Sequence, residues 1–386
     1  QQRGLLQGMY SSTSFKQDKS VAMGGINPRW DGTGFNQGPE KVRWFPQIRT
    51  QAPERYYQLP SWYLLIPFHS MGGHNVGHLV WDDFLPIFNL LHIFGMVGID
   101  GLQNVLLRWK APSFLYGGCE MRRNKSQKCA TNFAKFLPMM GVDPQTFSTA
   151  DETRLTSTDG TTWKLKSNVV CVKHALAGIG KLTDHGKNDH GWDRLSEFGR
   201  ASVGQAKDTV NVQNIGRGSL LYDFRTFVMY NLGLPIETPE LSERPMRVVF
   251  SIHSSSEQQR NVDFALQHKY VSTKLPGALV QQVQLSDLTV KDQLSLASNT
   301  TVFVTTSGGG AVTATFLPRG ATLIVYYSAT GGFNFAEYNL TGAPAILDWD
   351  LFNNLGYVRV HWLPIETMDT PESLDALEEI LQREWK

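Results

Sequence analysis

Two histidines and two aspartates stand close together in one block of the sequence, and these residue types can carry out acid–base chemistry. His74 and His78 are four positions apart, and Asp82 and Asp83 follow them. A general base needs one carboxylate held near an acceptor hydroxyl, whereas a metal site needs a further ligand. Since consecutive helical residues point about 100° apart, only one aspartate can face a given cleft. The other is then expected to be a helix N-cap, which is also the structural alternative for both.

Three consecutive glycines, Gly308, Gly309 and Gly310, lie between a predicted strand and a predicted helix. Backbone N–H groups and the helix dipole favour an anion at such a junction, where a nucleotide diphosphate binds in an open α/β sheet. Arg260 and Arg319 are the candidate phosphate partners, because a guanidinium can hold a diphosphate with two donors. A packing turn lined by glycine is the structural alternative for the turn, and a surface position is the alternative for either arginine.

A second group of titratable residues lies in a glycine-rich stretch between residues 173 and 192. It consists of His174, Asp184, His185, Asp189 and His190. Solvated side chains on a loop are the ordinary interpretation, and a metal cluster is the alternative. A metal-dependent hydrolase is therefore a further hypothesis, although no short ligand spacing supports it.

The residues that can do chemistry are positioned by predicted elements of an α/β fold. Residues 62–67 are a predicted strand, and the spacing of apolar residues after Asp83 predicts a helix with Pro86 in its first turn. Later in the chain, a strand, a glycine-rich turn, a helix and a strand form a βαβ unit, which indicates a parallel sheet. The remaining predicted elements are strands at 169–172, 246–252, 301–305 and 321–327, and helices at 222–232, 290–297, 311–316 and from 371 onward.

Length and composition indicate two domains. A chain of 386 residues with 41% hydrophobic content can bury a sizeable core, which excludes intrinsic disorder. Single cores usually stop growing at about 250–300 residues. A charged, proline-rich segment at 234–245 is the best linker. We therefore expect an extended N-terminal arm at 1–60, an α/β domain at 61–240, and a second α/β domain at 241–386 that ends in a helix.

Charge and hydropathy exclude two kinds of partner. The 36 Lys and Arg residues against 35 Asp and Glu leave a formal charge of +1, so no global surface for a nucleic acid is expected. The best apolar stretch, residues 84–99, is shorter than a membrane span and is interrupted by polar residues. We expect a soluble chain with no transmembrane segment, from which an N-terminal anchor has been removed or was absent.

Cysteines and glycosylation sequons favour the secretory pathway. Cys119 and Cys129 lie ten residues apart in a polar stretch that a disulfide can close, whereas Cys171 in an apolar run is expected to be a free, buried thiol. The three sequons begin at Asn124, Asn299 and Asn339. Because one sequon lies inside the candidate disulfide loop, we expect the lumen of the Golgi or endoplasmic reticulum, or secretion.

Four blocks of the chain resemble, in order, the family 61 glycosyltransferases. HNVGHLVWDDFLP, which begins at His74, resembles the family's H/N-x-x-H-x-x-x-D-D-x-x-P motif. YDFRTF at 222–227 is similar to the segment before the family's second domain. Residues 248–261 stand in the place of its strand and arginine-bearing loop, and residues 288–327 resemble its nucleotide-binding block most closely. Four blocks in the same order are far more specific than any one of them.

The resemblance implies a GT-B fold, in which two doubly wound Rossmann-type halves face a cleft. It implies an inverting transferase that moves a sugar from a UDP-sugar to a glycan or glycoprotein acceptor, with no metal or other cofactor required. Residues 61–240 would form the acceptor side and residues 241–386 the nucleotide-sugar side. The resemblance leaves open whether the chain acts alone, in an oligomer or in a larger complex.

The roles that the resemblance implies fall on residues already named. One of Asp82 or Asp83 would be the catalytic base, supported by His78. His74 and Asn75 would belong to the acceptor side. The nucleotide-sugar side would comprise Arg260, Ser307, Gly308, Gly309, Gly310 and Arg319.

Several positions on the nucleotide-sugar side depart from the family's pattern. Ser307 stands where the family usually has histidine, and His253 stands where it usually has arginine. Tyr326 or Tyr327 replaces an acidic residue, and Asn261 lacks the glutamate that usually follows it. These departures keep a second hypothesis open, a catalytically inactive relative that serves as a binding or structural glycoprotein component.

Overall fold

The structure is a computed structural model that describes residues 57–68, 70, 73–109, 123–142, 148–150, 155–157, 162–163, 170–176, 216–236, 245–253, 261–327 and 351–385. The chain divides into two compact units between Gly199 and Arg200. Each unit contains parallel strands and helices, which confirms the α/β class predicted from the sequence. None of the helices in these ranges has both the length and the apolar character that crossing a bilayer requires.

The first unit is organised around a six-stranded sheet and a separate pair of strands. In chain order the strands are β1 (Tyr57–Gln58), β2 (Tyr63–Phe68), β3 (Gln103–Trp109), β4 (Ser148–Ala150), β5 (Leu155–Ser157), β6 (Thr162–Trp163), β7 (Val170–Cys171) and β8 (His174–Ala175). The sheet order is β6-β5-β4-β3-β2-β8, with β8, β2, β3 and β4 mutually parallel and β5 and β6 antiparallel. β1 and β7 form the separate parallel pair. The strand predicted at 62–67 is thus confirmed as β2.

Helices of the first unit pack on the buried face of β2. A π-helix at His78–Phe84 runs directly into α1 (Leu85–Ile93), and α2 (Arg123–Phe136) ends in a 3-10 turn at Leu137–Met140. The Phe133 ring on α2 meets the Phe68 ring at 5.9 Å and the Phe84 ring at 6.4 Å between centroids, both edge to face. The helix predicted after the two aspartates is confirmed, but it begins before them, so neither aspartate is its N-cap.

The second unit contains a five-stranded sheet in which every strand is parallel to its neighbours. Its strands are β9 (Arg247–Ser251), β10 (Leu279–Val283), β11 (Val302–Thr306), β12 (Thr322–Tyr327) and β13 (Arg359–Pro364). Its helices include α3 (Gly218–Asn231), α4 (Ala265–Lys274), α5 (Val290–Ser298), α6 (Pro371–Trp385) and 3-10 helices at Leu285–Asp287 and Gly309–Phe316. The strands predicted at 246–252, 301–305 and 321–327 are confirmed, and the helix predicted at 311–316 is the 3-10 helix.

The central strands of this sheet are buried along nearly their whole length. Every residue of β11 is buried, and so is every residue of β12 except Tyr327. Parallel strands covered on both faces require such continuous runs of apolar and β-branched residues, which is why the sequence pattern predicted them well. One face packs on α4 and α6 through residues such as Phe264 and Leu377.

The strand order of the second sheet places a topological switch point between β9 and β11. The order β10-β9-β11-β12-β13 shows that the chain goes from β9 to β10 on one side and then crosses to β11 on the other. In open α/β sheets the crevice that opens at such a point, outside the carboxyl ends of the strands, is where ligands bind. Here those ends are Ser251 of β9 and Thr306 of β11.

Helix α3 belongs to the second unit, although the sequence predicted a domain boundary at residue 240. Its Phe224 ring packs on Phe316 at 6.1 Å, and its Tyr222 ring packs on Tyr357 at 5.1 Å between centroids. A Cβ on Gly218 would come within 2.8 Å of the Leu355 carbonyl oxygen, so the start of α3 lies directly against this unit. The division therefore lies before α3 and not at the linker that follows it.

Candidate functional site

The block that contains the two aspartates begins at the carboxyl end of β2. The Asn75 side-chain oxygen accepts a hydrogen bond from the Gly77 N–H at 2.9 Å, and the Asn75 carbonyl accepts one from the Leu79 N–H at 3.0 Å. An asparagine that accepts from the second N–H of a helix is an N-cap. Asn75, which the resemblance placed on the acceptor side, therefore starts the helix that carries both aspartates.

A π-helix carries the aspartates, and a proline follows them in the first turn of α1. The Leu85 N–H bonds to the Val80 carbonyl, five residues back, instead of four. Pro86 has no N–H, and in an α-helix its ring would clash with the carbonyl of Asp82. The wider π turn before it relieves that clash. Short π-helical segments occur frequently at functional sites.

Asp83 is fully buried and serves the structure of the loop before it. The Ser70 hydroxyl donates to Asp83 Oδ2 at 2.5 Å, and Ser70 Oγ accepts the Gly73 N–H at 3.0 Å. A Cβ on Gly73 would lie 2.8 Å from both the Phe133 ring and Ser70 Oγ, so only glycine fits there. In this structure the Asp83 carboxylate is therefore engaged by Ser70 and closed off from solvent. The side chain of Asp82 is outside the described part of the structure, and the identity of the base stays a prediction.

The two histidines of the block are half-buried near the same loop. His78 is the first residue of the π-helix, and His74 lies one residue before the cap. Asn132 on α2 donates to the Gly73 carbonyl at 2.9 Å and so ties the loop to the neighbouring helix. Among the residues that the structure describes, no three His, Cys, Asp or Glu side chains converge in a way that can hold a metal ion.

The second group of histidines begins at the neighbouring strand. His174 lies on β8 and pairs with Leu64 of β2, so the chain leaves β8 at the same sheet edge as it leaves β2. This follows because parallel strands have their carboxyl ends on one edge. The other members of the group, residues 184–190, are outside the described residues, and the metal hypothesis for them stays a prediction.

The glycine turn lies between a strand and a helix, as the sequence predicted, and the strand order places it at the switch point of the second sheet. Gly308 has φ +120° and ψ −151°, a region of the backbone map that is essentially restricted to glycine. The Ser307 N–H donates to the Tyr326 carbonyl at 3.1 Å, which fixes the start of the turn to β12. The 3-10 helix begins at Gly309. Its first N–H groups and its positive dipole end therefore lie at the carboxyl end of β11.

A histidine and an asparagine close the loop that follows β9 at the same edge. The His253 N–H bonds to the Val262 carbonyl at 2.9 Å, and the distance from His253 Nδ1 to Asn261 Oδ1 is 2.7 Å. His253 has φ +50°, an uncommon conformation for a residue with a side chain. Arg260 is outside the described residues, and its contact with a phosphate stays a prediction. In the sequence His253 stands out only as a departure from the family pattern.

The structure does not bring Arg319 to the glycine turn. Arg319 comes before β12, and Gly308 comes after β11, so in a parallel sheet they lie at opposite edges. The length of β12, about 3.3 Å per residue, separates those edges. The Arg319 guanidinium instead lies over the Tyr222 ring, 5.0 Å from its centroid, and is exposed. The phosphate contact predicted for Arg319 is therefore wrong.

Arg225 is a buried residue that the sequence did not single out. Its Nε donates to the carbonyls of Phe316 at 3.3 Å and Leu317 at 2.8 Å, and its Nη1 donates to the Ile236 carbonyl at 3.3 Å. Burial lowers the pKa of this guanidinium from its usual value. The sequence feature that could have identified Arg225 is a charged residue within an apolar helical segment, since Phe224 and Val228 on the same helix are core residues.

The cysteines and sequons lie only in part within the described residues. Cys129 is buried in α2, and Cys171 is a free thiol, half-buried and not fully buried as predicted. Asn299 is exposed just after α5. The partner Cys119 and the sequon at Asn339 are outside the described residues. The disulfide and the glycosylation sites therefore stay predictions.

No protein-family model matches the chain, and no curated protein sequence matches it. The residues themselves therefore carry the functional assignment. They form two groups, the aspartate-bearing π-helix after β2 and the glycine turn with the His253–Asn261 loop at the switch point of the second sheet.

Proposed function

We propose that the chain is an inverting glycosyltransferase that takes a sugar from a UDP-sugar and transfers it to a glycan or glycoprotein acceptor. The observation that carries this proposal is the position of the Gly308–Gly310 turn at the switch point between β9 and β11. The four-block resemblance supports the same function. A GT-B arrangement, in which two halves face a common cleft, belongs to the proposal.

In the proposed enzyme, the UDP-sugar binds at an anion site that consists mainly of backbone N–H groups. The N–H groups at the start of the 3-10 helix face the position of the diphosphate, and the helix dipole adds a partial positive charge there. Arg260 and His253 supply side-chain donors from the loop after β9. Because one or two cationic side chains and a glycine turn suffice for a diphosphate, the net charge of +1 is compatible with this role.

The reaction needs a base on the acceptor side, and Asp82 fits that role better than Asp83. Asp82 accepts the proton of the acceptor hydroxyl, and the oxygen forms a bond to the anomeric carbon of the sugar. The bond from that carbon to the diphosphate oxygen breaks, and its electron pair leaves with UDP. Attack from the face opposite UDP inverts the configuration. His78 supports the acceptor, and the glycine turn stabilises the charge that develops on the leaving diphosphate.

One observation favours the second candidate function, an inactive relative that binds or assembles without catalysis. Ser307, which stands in place of a histidine, is buried, and its N–H is already bonded to Tyr326. Ser307 therefore contributes less to the binding of the UDP-sugar than an exposed imidazole would. No observation on the described residues favours the metal-dependent hydrolase.

The decisive experiment is calorimetric titration of the protein with UDP, followed by a screen of UDP-sugars in which products are identified by mass. We expect UDP to bind, and we expect Asp82→Asn to abolish transfer while it leaves UDP binding unchanged. Arg260→Ala should weaken UDP binding, with Arg319→Ala as the matched control, because it removes the same charge at the opposite edge of the sheet. Absence of UDP binding at millimolar concentration would overturn the enzyme proposal and favour the inactive relative.

The proposal places the protein in the lumen of the Golgi or endoplasmic reticulum, or outside the cell. The exposed position of Asn299 at the end of α5 is compatible with a glycan there. Treatment of native protein with a glycan-removing enzyme should lower its apparent mass, and Asn299→Gln should remove part of that change. Native protein without glycans and with Cys119 and Cys129 both reduced would contradict this localisation.

A further inference from the structure

The 3-10 helix after the glycine turn is unusual in its length. It runs for eight residues, Gly309–Phe316, whereas 3-10 helices seldom exceed three or four residues. It starts at the carboxyl end of β11 and leads back toward the amino end of β12. At about 2.0 Å per residue it covers roughly 16 Å, close to the length of these strands at about 3.3 Å per residue. An α-helix of eight residues would cover only about 12 Å.

The far end of this helix is held by two side chains from other elements. The Tyr357 hydroxyl donates to the Thr315 carbonyl at 2.6 Å. Arg225 donates to the next two carbonyls, those of Phe316 and Leu317. Three consecutive carbonyls at the helix end are thereby satisfied. Burial raises the pKa of Tyr357, so its hydroxyl stays protonated and remains a donor.

Arg225 is itself fixed in position and can therefore hold the end of the 3-10 helix in place. The side chain is fully buried on α3, and its guanidinium lies 5.5 Å from the centre of the Tyr222 ring. Within the described part of the chain its polar partners are backbone carbonyls and not a carboxylate. A positive charge at the carboxyl end of a helix also interacts favourably with the helix dipole.

We propose that Arg225 and Tyr357 are positioning residues for the anion site at the other end of this helix. They hold the segment in its extended 3-10 form, and this form sets the glycine turn at the switch point. If the segment relaxed to an α-helix, it would shorten by about 0.5 Å per residue, roughly 4 Å in all. A shift of that size moves the N–H groups at Gly309 and Gly310 out of hydrogen-bonding range of a bound diphosphate. The inference rests on the proposed function, because it assigns these residues to the same diphosphate site.

The test compares Tyr357→Phe and Arg225→Lys with the wild-type protein and with Tyr270→Phe. Tyr270 is a matched control because its hydroxyl also links two elements of the second unit, through Asp375 and Glu378 on α6, but does not touch the 3-10 helix. UDP affinity is measured by calorimetry well below the melting temperature of each variant, so that all are folded. Hydrogen exchange is followed for the amides of residues 309–317.

We expect Tyr357→Phe to weaken UDP binding about fivefold, the effect of losing one net hydrogen bond, and Arg225→Lys to weaken it at least as much. The amides of residues 309–317 should exchange faster in both variants and not in Tyr270→Phe. Unchanged UDP affinity in Tyr357→Phe, with only a lower melting temperature, would overturn the positioning role while the proposed function stands. A wild-type protein that does not bind UDP would overturn both.

Discussion

Removal of the Ser70 hydroxyl is expected to destabilise the first unit, because two buried groups depend on this atom. Ser70 donates to Asp83 Oδ2 at 2.5 Å and accepts from the Gly73 N–H at 3.0 Å, and both contacts are buried. A hydrogen bond to a charged group contributes about 1.5–3 kcal/mol, and one to a backbone N–H contributes about 1 kcal/mol. Ser70→Ala should therefore lower the free energy of unfolding by about 3 kcal/mol.

This loss is measurable as a shift in melting temperature. For a unit of this size, about 1 kcal/mol corresponds to roughly 2–4 °C, so Ser70→Ala should lower the transition of the first unit by about 6–12 °C. Thr131→Ala is the control, because it removes a hydroxyl whose hydrogen bond to the Gln127 carbonyl is exposed on α2. We expect that variant to change stability by less than about 0.5 kcal/mol. A Ser70→Ala loss below about 1 kcal/mol would refute the structural role of Asp83.

Two further predictions concern the second unit. Gly308→Ala should weaken UDP binding by about 5- to 150-fold, because φ +120° with ψ −151° strains any other residue by about 1–3 kcal/mol, and calorimetry measures the loss. Gly320→Ala is its control, since it also places a side chain at positive φ but at the opposite edge of the sheet, and an equal loss of affinity there would contradict the assignment. Burial lowers the pKa of His361 in the folded protein below its ordinary value of 6.5. At pH values between the lowered pKa and 6.5, the unfolded chain therefore binds the proton more tightly than the folded one. Stability of the second unit should therefore fall as the pH drops below about 6.5, and thermal denaturation of His361→Gln should show a flatter pH profile.

The three central strands of the second unit, β9, β11 and β12, could be predicted from the sequence because they are almost fully buried, whereas the outer strands β10 and β13, which are partly exposed, were not predicted. β11 and β12 are short apolar runs bounded by turn residues, and such runs are typical of central parallel strands. The glycine turn was predictable for the same reason, since it follows one of these runs directly. The type of helix that follows the turn could not be predicted. The small residues at 309–316 are compatible with an α-helix and with a 3-10 helix, and the 3-10 form is compatible with the distance that the segment spans between the two edges of the sheet.

The roles of individual side chains were harder to predict because they depend on residues distant in sequence. The burial of Asp83 depends on Ser70, which is 13 positions away, and the placement of Arg225 depends on carbonyls 91 and 92 positions away. The position of Arg319 also depends on the strand order of the sheet. This residue lies near the glycines along the chain, but a whole strand length separates it from them in the sheet. The preference for Asp82 over Asp83 in the proposed function likewise depends on the hydrogen bond from Ser70.

The π-helix makes the geometry of the aspartate block sensitive to the deletion of a single residue. A π turn contains one residue more than the α turn it replaces, as the bond from Leu85 to Val80 shows. Deletion of one residue such as Val80 would allow a continuous α-helix, in which the residues before and after the deletion keep nearly their present faces. Pro86 would then lose the space that its ring requires, because its ring would meet the carbonyl four residues back. The length of this block is therefore as much a part of the candidate site as the identity of its residues.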